Sequence, residues 1–294
     1  MGSLPKQKID AYYTQFKSIP VTFTKEIILV TGLQPKEVSI KCASDFFPCV
    51  IYSTNFEEAK VVANIKSGIV DKLKDTNNSA SIKFSFVIPA TSEHVAFLVP
   101  VHVGASMPYN NSPDMSTFTM QFSQRPPDDL IEIVGRIVEA NLNATKRKDE
   151  LVTISPESLR KLKFKKKDIE ITVQGVPRRC ILRDISFSGA HLIVLGVSKL
   201  LLDKAGSINF EFSDPEEAYE IKGKYVTATP VAERKDMVVL DLRYDGPTPL
   251  TYKVRLNDYI GTLRKTSNQA TAPIHAPPPP PPAPPAPPAA PPAG

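Results

Sequence analysis

Tryptophan does not occur in the 294 residues, and histidine occurs only four times. Cysteine is nearly as scarce, at Cys42, Cys49 and Cys180. An odd, sparse set argues against a disulfide framework and fits a reducing compartment. Cys42 and Cys49 are not at a metal-binding spacing and have no histidine near them in sequence, so burial as small apolar side chains is expected. No apolar run approaches the roughly 20 residues that span a bilayer. The first sixteen residues are polar and amphipathic, without a signal-peptide core, and Lys6 stands where a myristoylation motif has Ser or Thr. These absences predict a cytoplasmic chain with no membrane partner. There is also no glycine-rich phosphate loop, metal-ligand cluster or nucleophile motif, so no catalytic residue, metal or cofactor is expected.

What is present is β structure, a mild excess of positive charge and a proline-rich end. The formal charge is +5, too small to name a partner by itself. Thirteen of the 29 prolines fall between Pro273 and Pro292, so the tail beyond residue 267 is expected to be disordered or polyproline II. Lys8 to Phe16 reads as a short helix. Strands are expected at Val21–Val30, Glu37–Cys42, Cys49–Ser53, Ser81–Ile88, His94–Val103 and Thr117–Phe122, each β-branched or aromatic and bounded by turn residues. Glu57 to Lys74 between them reads as helical. Pro126-Pro127-Asp128-Asp129 is a helix start, and Leu130, Ile133, Val134 and Ile137 continue it at helical spacing to about Asn141. The polar, basic stretch that follows reads as a linker.

A second strand-rich unit comes next. Ile169, Ile171 and Val173 alternate with polar residues, then a turn at Gly175 leads into Arg178–Ser186 as a hairpin. Further strands are expected at Ala190–Leu195, Ser207–Phe212, Glu220–Thr229 and Met237–Tyr244. Six short strands in under 100 residues suggest a small barrel. A closing helix starts at Thr248-Pro249, with Leu256, Tyr259, Ile260 and Leu263 as its apolar stripe.

The most informative string is Asp184-Ile185-Ser186-Phe187-Ser188-Gly189. Asp184 and Ser186 are two apart, so on a strand both leave one face. They offer a carboxylate and a hydroxyl, and Gly189 permits a tight turn or a close ligand. No base and orienter accompany Ser186, and His191 reads as structural. The string resembles the D-x-S-x-x-G signature of PilZ domains, in Asp184, Ser186 and Gly189. The resemblance implies a mainly β chain of two small six-stranded barrels. A PilZ-like domain would occupy residues 1–140, a helix and basic linker would end at 141–150, and a PilZ domain would fill 151–266. Pro48-Cys49-Val50-Ile51 is similar to the N-terminal domain of spirochaete-type members.

The resemblance further implies a receptor for cyclic di-GMP. The family's second motif is R-x-x-x-R before the first strand. Here Arg147 matches its first arginine, while Leu151 stands at the second and carries no donor. Arg147 would meet a guanine and a phosphate, with Lys146 and Lys148 adding charge. Asp184 and Ser186 would read base edges, Gly189 would allow close contact, and Arg183 and Ser188 would assist. Binding would order the linker, re-orient the domains and act through a protein partner on motility, biofilm or virulence. The alternative is a degenerate adaptor that has lost the nucleotide because of Leu151 and works by protein or nucleic-acid contacts. For the latter, the basic run Arg160–Lys167 would give weak, salt-sensitive binding, although lysines there also suit an exposed strand edge.

Overall fold

The computed structural model describes residues 4–270 apart from 90, 215 and 233, with backbone alone at 235 and 265–270. The expected proline-rich tail lies, from residue 271 on, outside the described residues.

The first half begins with α1 (Lys6–Phe16) and β1 (Val21–Thr22), then α2 (Lys25–Thr31). Next come β2 (Ser39–Cys42), β3 (Asp45–Thr54), β4 (Glu58–Asn64), α3 (Ile69–Asp75), β5 (Ser79–Val87), β6 (His94–Pro108) and β7 (Met115–Phe122). It ends with α4 (Asp128–Lys146). The strands pair antiparallel in the order β3-β2-β5-β6-β7-β4, and β4 returns to β3, which closes a six-stranded barrel. Alternate residues such as Ile40, Ile82, Phe84, Phe86, Val99 and Val101 fill its interior.

The second half runs β8 (Val152–Thr153), α5 (Pro156–Leu162), β9 (Asp168–Val173), β10 (Val176–Ile185) and β11 (Gly189–Leu195). It continues through α6 (Ser198–Leu201), β12 (Ala205–Ser213), β13 (Glu216–Val231), β14 (Arg234–Tyr244) and α7 (Leu250–Ala270). Its ring order, β10-β9-β12-β13-β14-β11 and back to β10, repeats that of the first barrel strand for strand. The two-residue strands correspond as well: β1 sits on Ser53 and Thr54, and β8 on Asp184 and Ile185. The protein is therefore mainly β, with two closed six-stranded barrels of one topology.

Several elements depart from the sequence reading. The expected strand Val21–Val30 is a strand only at Val21–Thr22. The rest is α2, because the Thr24 side chain caps the Ile27 amide at 3.3 Å and Gly32 ends the helix in the left-handed region at φ 71°. A side chain at Gly32 would also meet the Val87 carbonyl oxygen. The expected helix Glu57–Lys74 is β4 up to Asn64, since Ala59, Val61 and Ala63 point inward between β3 and β7. Helix α4 continues past Asn141 to Lys146, so the first residues of the expected linker are helical. Helix α7 likewise continues to Ala270, and Leu263 on it is 40% exposed rather than part of the apolar stripe.

The basic run 160–167 is paired in part with nearby acids. It crosses the end of α5, which Ser155 caps with Pro156 at the first helical position, and then bridges Phe164 to Phe212. Lys161 pairs with Glu157, Lys163 with Asp214, Lys165 with Glu216 and Lys166 with Glu211. Four of its six basic side chains thus pair with acids of their own domain. All three cysteines are free and buried, and burial raises the Cys49 and Cys180 thiols to about 12. Among the described residues, no helix is long and apolar enough to cross a membrane.

The two barrels meet along α4 and α7. Leu250 and Val254 of α7 pack into the first core, while Tyr252, Leu256, Tyr259 and Ile260 pack into the second. Polar contacts lace the seam: Arg136 pairs with Asp258, Asn143 donates to Asn257 at 2.7 Å, and Asn257 donates to Glu139 at 2.9 Å. Tyr252 is buried between Phe210 and Tyr244, and its hydroxyl donates to the Ser186 carbonyl at 2.7 Å. Tyr252→Phe strands that buried carbonyl, so we expect a loss of about 1–3 kcal/mol. Urea unfolding checks this, and the midpoint should fall with little change in slope.

Candidate functional site

Barrel closure positions the site. Strands β10 and β11 pair antiparallel, Ile185 opposite Ala190, and the chain between them turns through Ser186, Phe187 and Ser188. Phe187 plugs the barrel end and is buried. The buried Ser186 hydroxyl fastens the turn, accepting from the Ser188 amide at 3.2 Å and donating to the Gly189 carbonyl at 3.2 Å. Gly189 faces Arg243 of β14. A Cβ at Gly189 would stand 2.5 Å from the Leu242 carbonyl oxygen, so strand packing permits only glycine there.

Charged groups alternate across this end of the barrel. The Asp184 carboxylate is buried and accepts from His191 Nδ1 at 3.2 Å, with Arg183 Nε also at 3.2 Å. His191 Nε2 lies 4.0 Å from Asp241, and Asp241 lies 3.4 Å from Arg243 Nε. Arg243 Nη1 then donates to Asp149 of the linker at 2.7 Å, and the Ser188 hydroxyl donates to the same carboxylate oxygen at 2.6 Å. The Ser188 hydrogen bond, followed by the one from Arg243, holds the Asp149 carboxyl below its usual range.

The linker is folded onto the turn. The Lys148 carbonyl accepts from the Ser188 amide at 3.0 Å, and Glu150 receives two hydrogen bonds from Arg264 of α7, at 2.7 and 2.8 Å. Leu151 is 51% exposed and lines a cavity of about 90 Å³ with Asp149, Ser186, Gly189, His191 and Arg243. Lys146 and Arg147 line a different groove, about 380 Å³, between α1, α4 and α7 beside Lys8 and Arg264. Lys148 lines a third depression with Phe187, Ser188 and Tyr244, about 360 Å³.

The expected residues thus fall into three groups. Leu151, Asp184, Ser186, Ser188 and Gly189 come together with Arg183 at the β10–β11 turn. Lys146 and Arg147 stand apart in the α1–α4–α7 groove, and Lys148 lines the third depression. Sequence reasoning passed over Asp149, Asp241 and Arg243, and took His191 as structural. The β11–β14 register, Gly189 opposite Arg243 and His191 opposite Asp241, gathers three of them, and no local motif encodes it.

The corresponding turn of the first barrel lacks this chemistry. Ser53, Asn55 and Glu58 occupy the places of Asp184, Ser186 and Gly189. Asn55 fastens the turn, accepting from the Glu57 and Glu58 amides at 2.7 Å. Glu58 stands where the second barrel has glycine, and its carboxylate lies 3.9 Å from Lys60.

Comparison with known proteins gives three results. Residues 7–141 match the model of the PilZN3 domain. The chain is 37% identical over 270 residues to a protein of Treponema denticola named cyclic di-GMP binding protein, covering 91% of this chain and 86% of that one. Among solved structures, it is similar to Borreliella burgdorferi PlzA in complex with c-di-GMP, at 21% identity and TM-score 0.40, over 87% of this chain and 99% of that one. It is also similar to Escherichia coli YcgR in complex with c-di-GMP, at 10% identity and TM-score 0.28, over 83% and 90% of the two chains.

Because the folded-state pKa of Asp149 is depressed, its contact contributes above the unfolded carboxylate value of about 3.9. The contribution is lost as pH falls through the lower folded value. We expect the linker to leave Ser188 only as pH falls below about 4 and through this depressed value, seen as faster amide exchange over residues 147–151. Asp149→Asn should remove that acid-dependent step.

Proposed function

The chain belongs to the PilZ-domain family, in the two-domain form that opens with a PilZN3 domain, and from that premise we propose that it is a cyclic di-GMP receptor with its nucleotide on the second barrel. The observation that carries this reading is the turn at Ser186–Ser188, where Asp184, Ser186 and Gly189 converge beneath a folded linker. The cyclic di-GMP binding protein of Treponema denticola, similar over nearly the whole chain, supports it. The protein acts by binding and is not an enzyme.

In this reading Asp184 accepts from a guanine N–H, Ser186 or Ser188 bonds a base edge or phosphate, and Gly189 leaves room for close approach. Arg147 sits one residue beyond α4, as its C-cap. A small unwinding there swings its guanidinium from the α1–α4–α7 groove toward the ligand, where its planar fork meets guanine or phosphate. Lys146 and Lys148 follow as added positive charge.

The switch follows from where the linker is tied. Asp149 and Glu150 hold it to β14 and α7, and α7 shares its faces between both cores. A ligand that takes the linker must disturb these ties and hence the seam. The two barrels then change orientation and present a new surface to a protein partner, with outputs in motility, biofilm or virulence.

Isothermal titration of the full chain with cyclic di-GMP tests the assignment. Binding should be saturable at one site, and Asp184→Ala and Ser186→Ala should each weaken it about 10- to 100-fold, the range for a lost hydrogen bond to a charged or buried group. Unchanged affinity in both variants would move the site elsewhere. Small-angle scattering with and without nucleotide reads the change in domain arrangement.

A further inference from the structure

The site as read from the family motif has a gap. Leu151 stands where the motif has its second arginine, and it offers no donor to a phosphate. The barrel wall supplies one. Arg243 on β14 faces Gly189 directly, and its Cδ lies 3.5 Å from where a Gly189 side chain would begin. What excludes a side chain at Gly189 is the Leu242 carbonyl oxygen at 2.5 Å, while the arginine stem runs alongside at contact distance. Its guanidinium reaches the mouth of the cavity that Leu151 lines.

That guanidinium already holds an anion. Arg243 Nη1 and the Ser188 hydroxyl converge on a single oxygen of Asp149 at 2.7 and 2.6 Å, the short distances of charge-assisted hydrogen bonds. Arg243 Nη1 also reaches the Ser188 hydroxyl at 3.3 Å, which makes the three groups a closed set. A carboxylate and a phosphodiester present the same feature here: an anionic oxygen that accepts two or more donors. The carboxylate is carried on the linker, while both donors are fixed to the barrel. About half of each side chain of the pair is exposed, so the contact is screened and weak enough to be displaced.

We propose that Arg243, with Ser188, is the anion-binding residue that replaces the second linker arginine, and that Asp149 is its resting occupant, displaced when a ligand phosphate arrives. This rests on the reading of the second barrel as a cyclic di-GMP site. It makes Leu151 tolerable, because the guanidinium has moved from the linker to β14. It also gives the linker a defined closed state, with Asp149 on Arg243 and Glu150 on Arg264.

The test is isothermal titration of cyclic di-GMP into the full chain and into Asp184→Ala, Arg243→Ala, Asp149→Asn and the Arg243→Ala/Asp149→Asn pair, each first shown folded by circular dichroism. Arg243→Ala should bind at least tenfold more weakly. Asp149→Asn, which removes the internal competitor, should bind several-fold more tightly, and that gain should vanish in the double variant. Arg243→Ala binding like the unaltered chain, while Asp184→Ala loses binding, overturns the inference and leaves the receptor reading intact. An Asp149→Asn gain that survives without Arg243 also overturns it. No binding by any chain removes the receptor reading itself, and the inference with it.

Discussion

Closure of the second barrel by the β10–β11 pair is the constraint on which the site depends. With Ile185 opposite Ala190, only the four residues from Ser186 to Gly189 remain to reverse the chain. Phe187 must enter the core, and Ser186 must satisfy the turn's polar groups from a buried position. Asp184 is thereby fixed just inside the barrel rim, beside His191. Closing the ring through β14 then sets Arg243 opposite a residue that must be glycine. The dipoles and charges of the candidate site are thereby oriented in advance, and groups already oriented need not be ordered on binding.

The same closure in the first barrel produces no such site, and the contrast separates scaffold from function. Both barrels have one ring order, one short strand leaning on the same position and one side chain fastening the turn. Asn55 does for the first what Ser186 does for the second. Fastening is therefore a structural role of that position. What the second barrel adds is an acid at 184, space at 189 and an arginine at 243.

Much of this was legible in the chain. The alternation of Ile169, Ile171 and Val173 and of Ile208, Phe210 and Phe212 marks half-buried strands, and those strands are present. Helix α4 follows from its acidic start and its i, i+3, i+4, i+7 apolar row. The hexapeptide at 184–189 located the turn itself. Other features were hidden for physical reasons. Ile27, Ile28 and Val30 carry strand propensity, and the cap at Thr24 with the tight packing of Gly32 on Val87 overrides it. Ala59 is too small to announce a core strand, and β4 is defined by its partners β3 and β7. The Arg243–Asp149 contact joins residues 94 apart through sheet register and a folded linker, so no local pattern contains it. The two-barrel plan came from the family resemblance, because most matching positions of the barrels share burial and pairing rather than residue identity.

We propose that the linker occupies its own ligand site at rest and yields it to the nucleotide. A crystal structure of the full chain with cyclic di-GMP tests this most directly. With nucleotide bound, the Arg243 guanidinium should lie on a ligand phosphate, Asp149 should be withdrawn from Ser188 and Arg147 moved from the α1–α4–α7 groove onto the nucleotide. A bound nucleotide with the Asp149–Arg243 contact still at 2.7 Å and Arg147 still in its groove would contradict it.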